Sequence, residues 1–302
     1  MKYDLVTIAD LCIDILFVGD VTPEYGQVEQ FVADYHVELG GSATIFASQF
    51  AKMGGNPAFF GVIGNDIFGA MLSEKLKSNG VSTEFLTTDT QFKTAVGLGL
   101  AKGDDRAMLT YKGTMADATP ELVLKSGILG SAKHLHIASF YLMDQLNPLW
   151  QTELPKLKAL GHTVSLDTNW CPDGSWEKVH SILNHIDVFI PNEEEALHIS
   201  GQSTCDEAGK WLNEKVKLVV IKRGADGARV YQNGTVVNHE VPAKLRANLV
   251  IADTTGAGDN FASGFVYAWL KGREISEAVT LGMRCATGSL AHIGGIQGQL
   301  KP

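Results

Sequence analysis

The sequence predicts an α/β fold: a mainly parallel central sheet flanked by helices on both faces, with a small β-sheet set apart from it. Three observations carry this reading. From about Lys133 onward, short apolar strands alternate with amphipathic helices, the pattern of a largely parallel sheet covered on both faces. Two β-patterned stretches interrupt the α/β units of the first half and imply a separate small sheet. Near the C-terminus a glycine loop, Asp253-Thr254-Thr255-Gly256-Ala257-Gly258-Asp259, feeds a helix whose apolar positions Phe261, Phe265, Ala268 and Trp269 recur at helical spacing.

Residues 5 to 9, continued by Ile13, Ile15 and Phe17, predict a first strand with Asp14 on the face opposite those apolar residues. Tyr35, Val37 and Leu39 alternate against Asp34, His36 and Glu38, and the same period-2 pattern returns over 94–100 and 107–111. Gly40-Gly41-Ser42-Ala43 opens a helix with Ala43, Phe46, Ala47 and Phe50 on one face, ending at Gly54-Gly55. Residues 59–69 read as strand, turn and helix, with Asp66 as the helix cap. Later strands are expected at 134–138, 163–167, 188–190 and 218–221. Between them lie helices carrying Trp176, Val179, Ile182 and Leu183, then Ala208, Trp211 and Leu212. A last helix runs from 275 to about 292 and ends in Gly294-Gly295-Ile296-Gln297-Gly298.

The whole chain, 1–302, reads as one α/β domain with the small sheet, about 15–39 and 94–112, inserted in it. A net charge of −9 without a long basic run argues against nucleic acid and against an anionic membrane surface, so any bound phosphate must be held by local devices. The N-terminus lacks a signal-peptide layout and no run of about 18 apolar residues exists, which makes a soluble, cytoplasmic protein the expectation. Cys12, Cys171, Cys205 and Cys285 lack Cys-x-x-Cys spacing and read as packing residues. There is neither a Gly-x-x-x-x-Gly-Lys-Ser/Thr loop nor a Gly-x-Gly-x-x-Gly after the first strand, against a P-loop kinase and a nicotinamide dehydrogenase.

Gly256 and Gly258 let several N–H groups converge on one anion at a helix N-terminus, where the helix dipole favours negative charge. Asp259 stands in the first turn of that helix. A general base beside an anion hole is what moving a phosphoryl group onto a hydroxyl requires. Taken alone, Gly-Ala-Gly-Asp also reads as a tight turn with a capping aspartate. Ligands of such a sheet belong at the strands' C-terminal ends, which singles out Asp167-Thr168-Asn169, Asn192 to Glu195, and Lys222-Arg223-Gly224. Asn192 to Glu195 equally fits a helix N-terminus, with Asn as cap and glutamates on the dipole.

The longer string Asp-Thr-Thr-Gly-Ala-Gly-Asp-x-Phe-x-x-Gly-Phe resembles the C-terminal signature of the ribokinase or PfkB family of carbohydrate kinases, and the likeness extends over nearly the whole chain. The resemblance implies a ribokinase-like fold whose small sheet is a lid over the acceptor and a surface for homodimerisation. It implies Asp259 as the catalytic base and Gly256, Ala257 and Gly258 as the anion hole. Asp14, Gly40, Gly41 and Asn169 would bind the acceptor, and a carboxylate accepting two neighbouring hydroxyls suits a polyol. Asn192, Lys222, Gly224 and Gly227 would contact ATP. Asn192 and Glu195, as in the family's Asn-x-x-Glu, would organise magnesium through water. Backbone around Asp253 and Thr255 would surround a monovalent cation, usually potassium.

Three positions depart from the family pattern. Ile45 replaces an Asn after the glycine pair and removes one polar contact to the acceptor. Ser42 replaces the Lys that phosphosugar kinases carry, and Cys171 replaces an Arg suited to a sugar carboxylate. Together these point to ATP-dependent phosphorylation of a hydroxyl on an unphosphorylated sugar or polyol. A nucleoside kinase of the same fold is the alternative, with Phe17, Phe46 or Trp170 as candidates to stack a base. A non-catalytic regulatory member is the rival from another class.

Overall fold

The structure, a computed structural model, describes residues 1–8, 10–102, 105–247 and 249–301. In chain order the strands are β1 (Tyr3–Ile8), β2 (Cys12–Val18), β3 (Asp34–Gly40), β4 (Pro57–Gly64), β5 (Ser82–Asp89), β6 (Ala95–Lys102) and β7 (Asp105–Tyr111). They continue with β8 (Ala132–Ile137), β9 (Thr163–Leu166), β10 (Val188–Phe189), β11 (Leu218–Lys222), β12 (Ala228–Gln232) and β13 (Thr235–His239).

A nine-stranded sheet has the order β13-β12-β11-β10-β9-β8-β1-β4-β5, and a four-stranded sheet the order β3-β2-β6-β7. From β11 through β5 the large sheet is parallel; β12 and β13 add an antiparallel edge that the sequence reading did not anticipate. In the small sheet β2 runs antiparallel to β3 and parallel to β6, and β7 closes it antiparallel to β6.

The expected first strand is two strands. β1 lies at the centre of the large sheet, whereas β2 leaves it and begins the small one. A continuous apolar count across Leu11 and Cys12 concealed this, because both are buried and neither marks a break. The predicted helix around Trp176 is a 3₁₀ turn, Trp176–Val179, followed by a single helical turn, His180–Leu183, although all four expected apolar residues are buried.

Alternate residues along each central strand feed opposite cores. Leu218 and Val220 join Leu5, Phe46, Phe261 and Phe265 on one face, while Val219 and Ile221 join Val6, Ile8 and Phe189 on the other. Burial on both faces explains why these strands read as unbroken apolar runs. The two helices that open at the site, Ser42–Lys52 and Ala257–Leu270, pack together in the first of these cores, and the Ser263 hydroxyl donates to the Phe46 carbonyl at 2.9 Å. His136 stacks on Phe46 with ring centroids 3.6 Å apart, so burial keeps that imidazole neutral, its pKa well below the usual value.

The large sheet reverses direction of growth at β1: β4 and β5 extend one side, β8 to β11 the other. Such a switch point leaves a crevice at the strands' C-terminal ends. Asp10 follows β1, Asp167 follows β9 and Lys222 ends β11.

Candidate active site

The glycine loop ends at the helix Ala257–Leu270, as expected, with Gly256 as its left-handed N-cap at φ 71°. A Cβ at Gly256 would lie 2.9 Å from the Gly295 Cα, so the position needs glycine for both its dihedral and its neighbour. Ala257 N–H already donates to the Thr254 carbonyl at 3.3 Å, whereas the Gly258 N–H has no such bond among the described residues. Of the three residues expected to form the hole, Ala257 therefore closes the turn through its amide. Asp259 sits in the first helical turn. The Asn260 side chain donates to the carbonyls of Gly256 and Gly295, each at 2.9 Å, tying the loop to the C-terminal segment.

Beside Asp259 lies the start of the helix Ser42–Lys52. Gly41, at φ 89°, passes so near Asp10 that a Cβ would fall 2.3 Å from its carbonyl oxygen. The Asp10 carboxylate accepts from the amides of Ser42 at 2.9 Å and Ala43 at 3.2 Å, an anion held at a helix N-terminus. Ser42 Oγ accepts from Asn169 Nδ2 at 2.6 Å, and the Ser42 side chain lies near enough to Asp259 to favour its ionised form. Asn169 itself adopts φ 61° at the turn after β9. Gly41, Ser42, Asn169 and Asp259 thus form one cluster. Asp14 stands on the small sheet, 7% exposed, facing Gly40 and Gly97.

Burial, chiefly, and then the Asp167 carboxylate push the Asp259 carboxyl up to about 7, while Lys222 pulls in the other direction. A base at that value accepts a proton at neutral pH and can also release it. Asp10 is likewise raised, to about 6, by burial. Lys222 Nζ donates to Asp167 Oδ2 at 2.5 Å with both side chains nearly buried, and the ammonium stays charged: burial lowers its pKa, but Asp167 and Glu195 outweigh that.

On the far side of the loop is a cavity of about 380 Å³. Lys222, Gly224, Gly227 and Gly258 line its polar end; Val241, Leu245, Met283 and Leu290 supply apolar walls. An apolar slot that ends at the Gly258 amide fits a planar base joined to phosphates. Asn192 and Glu195 form a reciprocal capping box, Glu195 N–H to Asn192 Oδ1 at 2.8 Å and Asn192 N–H to Glu195 Oε2 at 2.9 Å. That engagement suits contact with a metal ion through water rather than direct ligation. Asp253 Oδ1 accepts from Thr255 N–H at 2.9 Å and Oδ2 from Gly294 N–H at 2.9 Å, bringing the two expected cation-binding segments together.

Two residues of this site, Asp10 and Ser42, escaped the sequence reading, and the partner of a third, Asp167, did too. Asp10 was hidden by the merging of β1 with β2; with β1 ended at Ile8, the strand-end rule would have found it. Ser42 was noted only as a missing lysine. Asp167 was part of a strand-end triplet, but nothing in sequence pairs it with Lys222, 55 residues on.

The sequence pattern of the pfkB family of carbohydrate kinases matches residues 3–301. Probable fructokinase-5 of Arabidopsis thaliana is 30% identical over 241 residues, 75% of this chain and 72% of that protein. An ATP-dependent 6-phosphofructokinase of Thermoanaerobacterium thermosaccharolyticum is 25% identical over 307 residues, 98% and 90% of the two chains. The solved structure of Arabidopsis thaliana ribokinase complexed with ribose and ATP superposes with a TM-score of 0.84 at 22% identity, covering 100% of this chain and 96% of that one. The chain therefore belongs to the pfkB family of carbohydrate kinases, phosphotransferases whose acceptor is an alcohol group.

Proposed function

We propose that the protein transfers the γ-phosphoryl group of ATP to a hydroxyl of an unphosphorylated sugar or polyol, with Asp259 as general base. The observation that carries this is the position of Asp259: beside Ser42 on the acceptor side and one residue from the Gly258 amide on the nucleotide side. Asp14, Gly40, Gly41 and Asn169 hold the acceptor so that one hydroxyl reaches Asp259, which takes its proton as the bond to phosphorus forms. The amides of Gly256 and Gly258 stabilise the charge on the phosphoryl oxygens, with Ala257 holding the turn. The cavity beside Lys222, Gly224 and Gly227 receives the nucleotide, and Arabidopsis ribokinase holds ATP together with ribose. Magnesium, when bound, would neutralise the phosphates; Asn192 and Glu195 would orient its waters. A monovalent cation, potassium by resemblance, would sit where Asp253 and Thr255 meet Gly294.

The neutral acceptor follows from the cluster's charge. A phosphate beside Ser42 would meet the carboxylates of Asp10 and Asp259, and the Ser42 and Ala43 amides that could receive it are already given to Asp10. Two of the aromatic residues considered for base stacking are turned elsewhere: Phe46 is core, and Phe17 lies on the face of the small sheet away from Asp14, whereas Trp170, next to Asn169, packs edge-on against Trp176 and His198. The small sheet acts as the lid, its Asp14 face inward, closing over the acceptor to exclude water. Its outer face carries Tyr35, Leu109 and Tyr111, each more than half exposed, and mediates a homodimer. The four cysteines are free thiols, which suits a reducing, cytoplasmic setting.

The test is ADP release from ATP and magnesium, with and without potassium, across sugars, polyols, nucleosides and fructose 6-phosphate, with Asp259→Asn as control. Stimulation by an unphosphorylated sugar or polyol, abolished in the variant, is the expected result. Stimulation by the phosphosugar or a nucleoside alone would replace the acceptor assignment.

A further inference from the structure

Asp167 is 3% exposed, and the proposed reaction leaves it without a part. It follows β9, and its partner Lys222 ends β11, so their 2.5 Å contact passes the end of β10. The ammonium lies beside the anion loop: a methyl group on Gly258 would stand 3.2 Å from Nζ. Lys222 also lines the nucleotide cavity. A lysine side chain is long and rotamer-rich, and a buried ion pair contributes little net stability, so the pair is better understood as preorganised charge than as a staple. An ammonium has three donors, and among the described residues Asp167 takes one.

We propose that Asp167 is a positioning residue that draws the Lys222 ammonium in beside Gly258, where Lys222 meets the oxygens of the phosphoryl group in transfer and completes the anion hole. This rests on the kinase reading above. The groups facing Asp259 come from every neighbouring element: Asp167 after β9, Lys222 from β11, Asp10 after β1 and Ser42 from the adjoining helix. Glu195, on the helix Glu193–Ser200, faces Lys222. Lys222 favours ionised Asp259, and Asp167 opposes it. The two members of one ion pair therefore act on the base with opposite sign.

Steady-state kinetics would be measured for Lys222→Met, Lys222→Arg and Asp167→Asn, alongside a carbon-13 NMR titration of the Asp259 carboxyl in the free protein, assigned with Asp259→Asn. Lys222→Met is expected to lower kcat by about 100-fold with acceptor KM within about threefold, the loss typical of one oxyanion donor. Lys222→Arg should recover about a tenth of wild-type kcat, and Asp167→Asn should lose about tenfold, since the ammonium remains but is no longer fixed. In the titration the Asp259 inflection should move to lower pH in Asp167→Asn and to higher pH in Lys222→Met. A purely structural pair would give two less stable proteins whose Asp259 titrates alike, and that result overturns the proposal. So does Lys222→Met retaining kcat within about threefold. The titration needs no acceptor, so failure to find turnover would count against the kinase reading without deciding the placement of Lys222; if Asp167→Asn does not fold, the two Lys222 variants still decide it.

Discussion

Asp259 concentrates opposing demands in one carboxylate. As the proposed base it must be ionised to take a proton, yet burial and Asp167 raise its pKa to about 7. With its unfolded value near the ordinary Asp range, the cost of ionising it in the folded protein grows as pH rises between the two values and is complete above about 7. Because Asp259 keeps some solvent contact, screening by water reduces this cost. Asp259→Asn is therefore expected to raise thermal stability at pH 8 and to leave it nearly unchanged at pH 4, as read by melting curves at both pH values. In activity the sign is reversed: kcat should fall by about 10²–10⁴-fold, the usual contribution of a positioned general base. For the wild type, kcat/KM should decline tenfold per unit as pH drops below about 7, and a flat profile down to pH 5 would remove Asp259 from the base role.

Between strands, the placement of Asp14 depends on absent side chains. It pairs with Gly97 across β6, where a Cβ would come 2.5 Å from Asp14 Oδ1, and a Cβ at Gly40 would come 2.3 Å from the same carboxylate. Gly97→Ala is expected to push Asp14 from its place and raise acceptor KM about tenfold, leaving ATP KM within about twofold. In an Asp14→Ala background the same change should have no further effect on acceptor KM; an additive loss would mean that Gly97 acts elsewhere. At the helix that carries Asp259, Gly256→Ala forces a left-handed residue to carry a Cβ against Gly295 and Ile45. A loss of about 1–3 kcal/mol in denaturant unfolding is expected, with kcat falling by at least tenfold as the loop amides turn.

At the scale of the whole molecule, the small sheet has two unlike faces. Asp14 and Gly97 point one way; Ile15, Phe17, Tyr35 and Leu109 point the other, set by the period of two along each strand. If the outer face joins two copies, Leu109→Lys should halve the mass seen by light scattering and raise acceptor KM, because the lid would lose its support. A wild-type monomer at micromolar concentration would remove that assembly.

Much of this was legible in one dimension. The glycine loop and its aspartate, the pair Gly40-Gly41 before a helix, and the alternation of strands and helices each occupy a contiguous stretch, and local backbone chemistry leaves its mark there. Asp66 capping its helix, with Gly69 N–H donating at 2.8 Å, was readable for the same reason. What only the tertiary structure decided were relations between stretches. The switch from β1 to β2 across two sheets, the edge strands β12 and β13, the Asn169–Ser42–Asp259 cluster and the Asp167–Lys222 pair all join residues distant in sequence. Their partners are chosen by how the sheets and helices pack, and a side chain's type carries no record of which distant group packing will bring beside it.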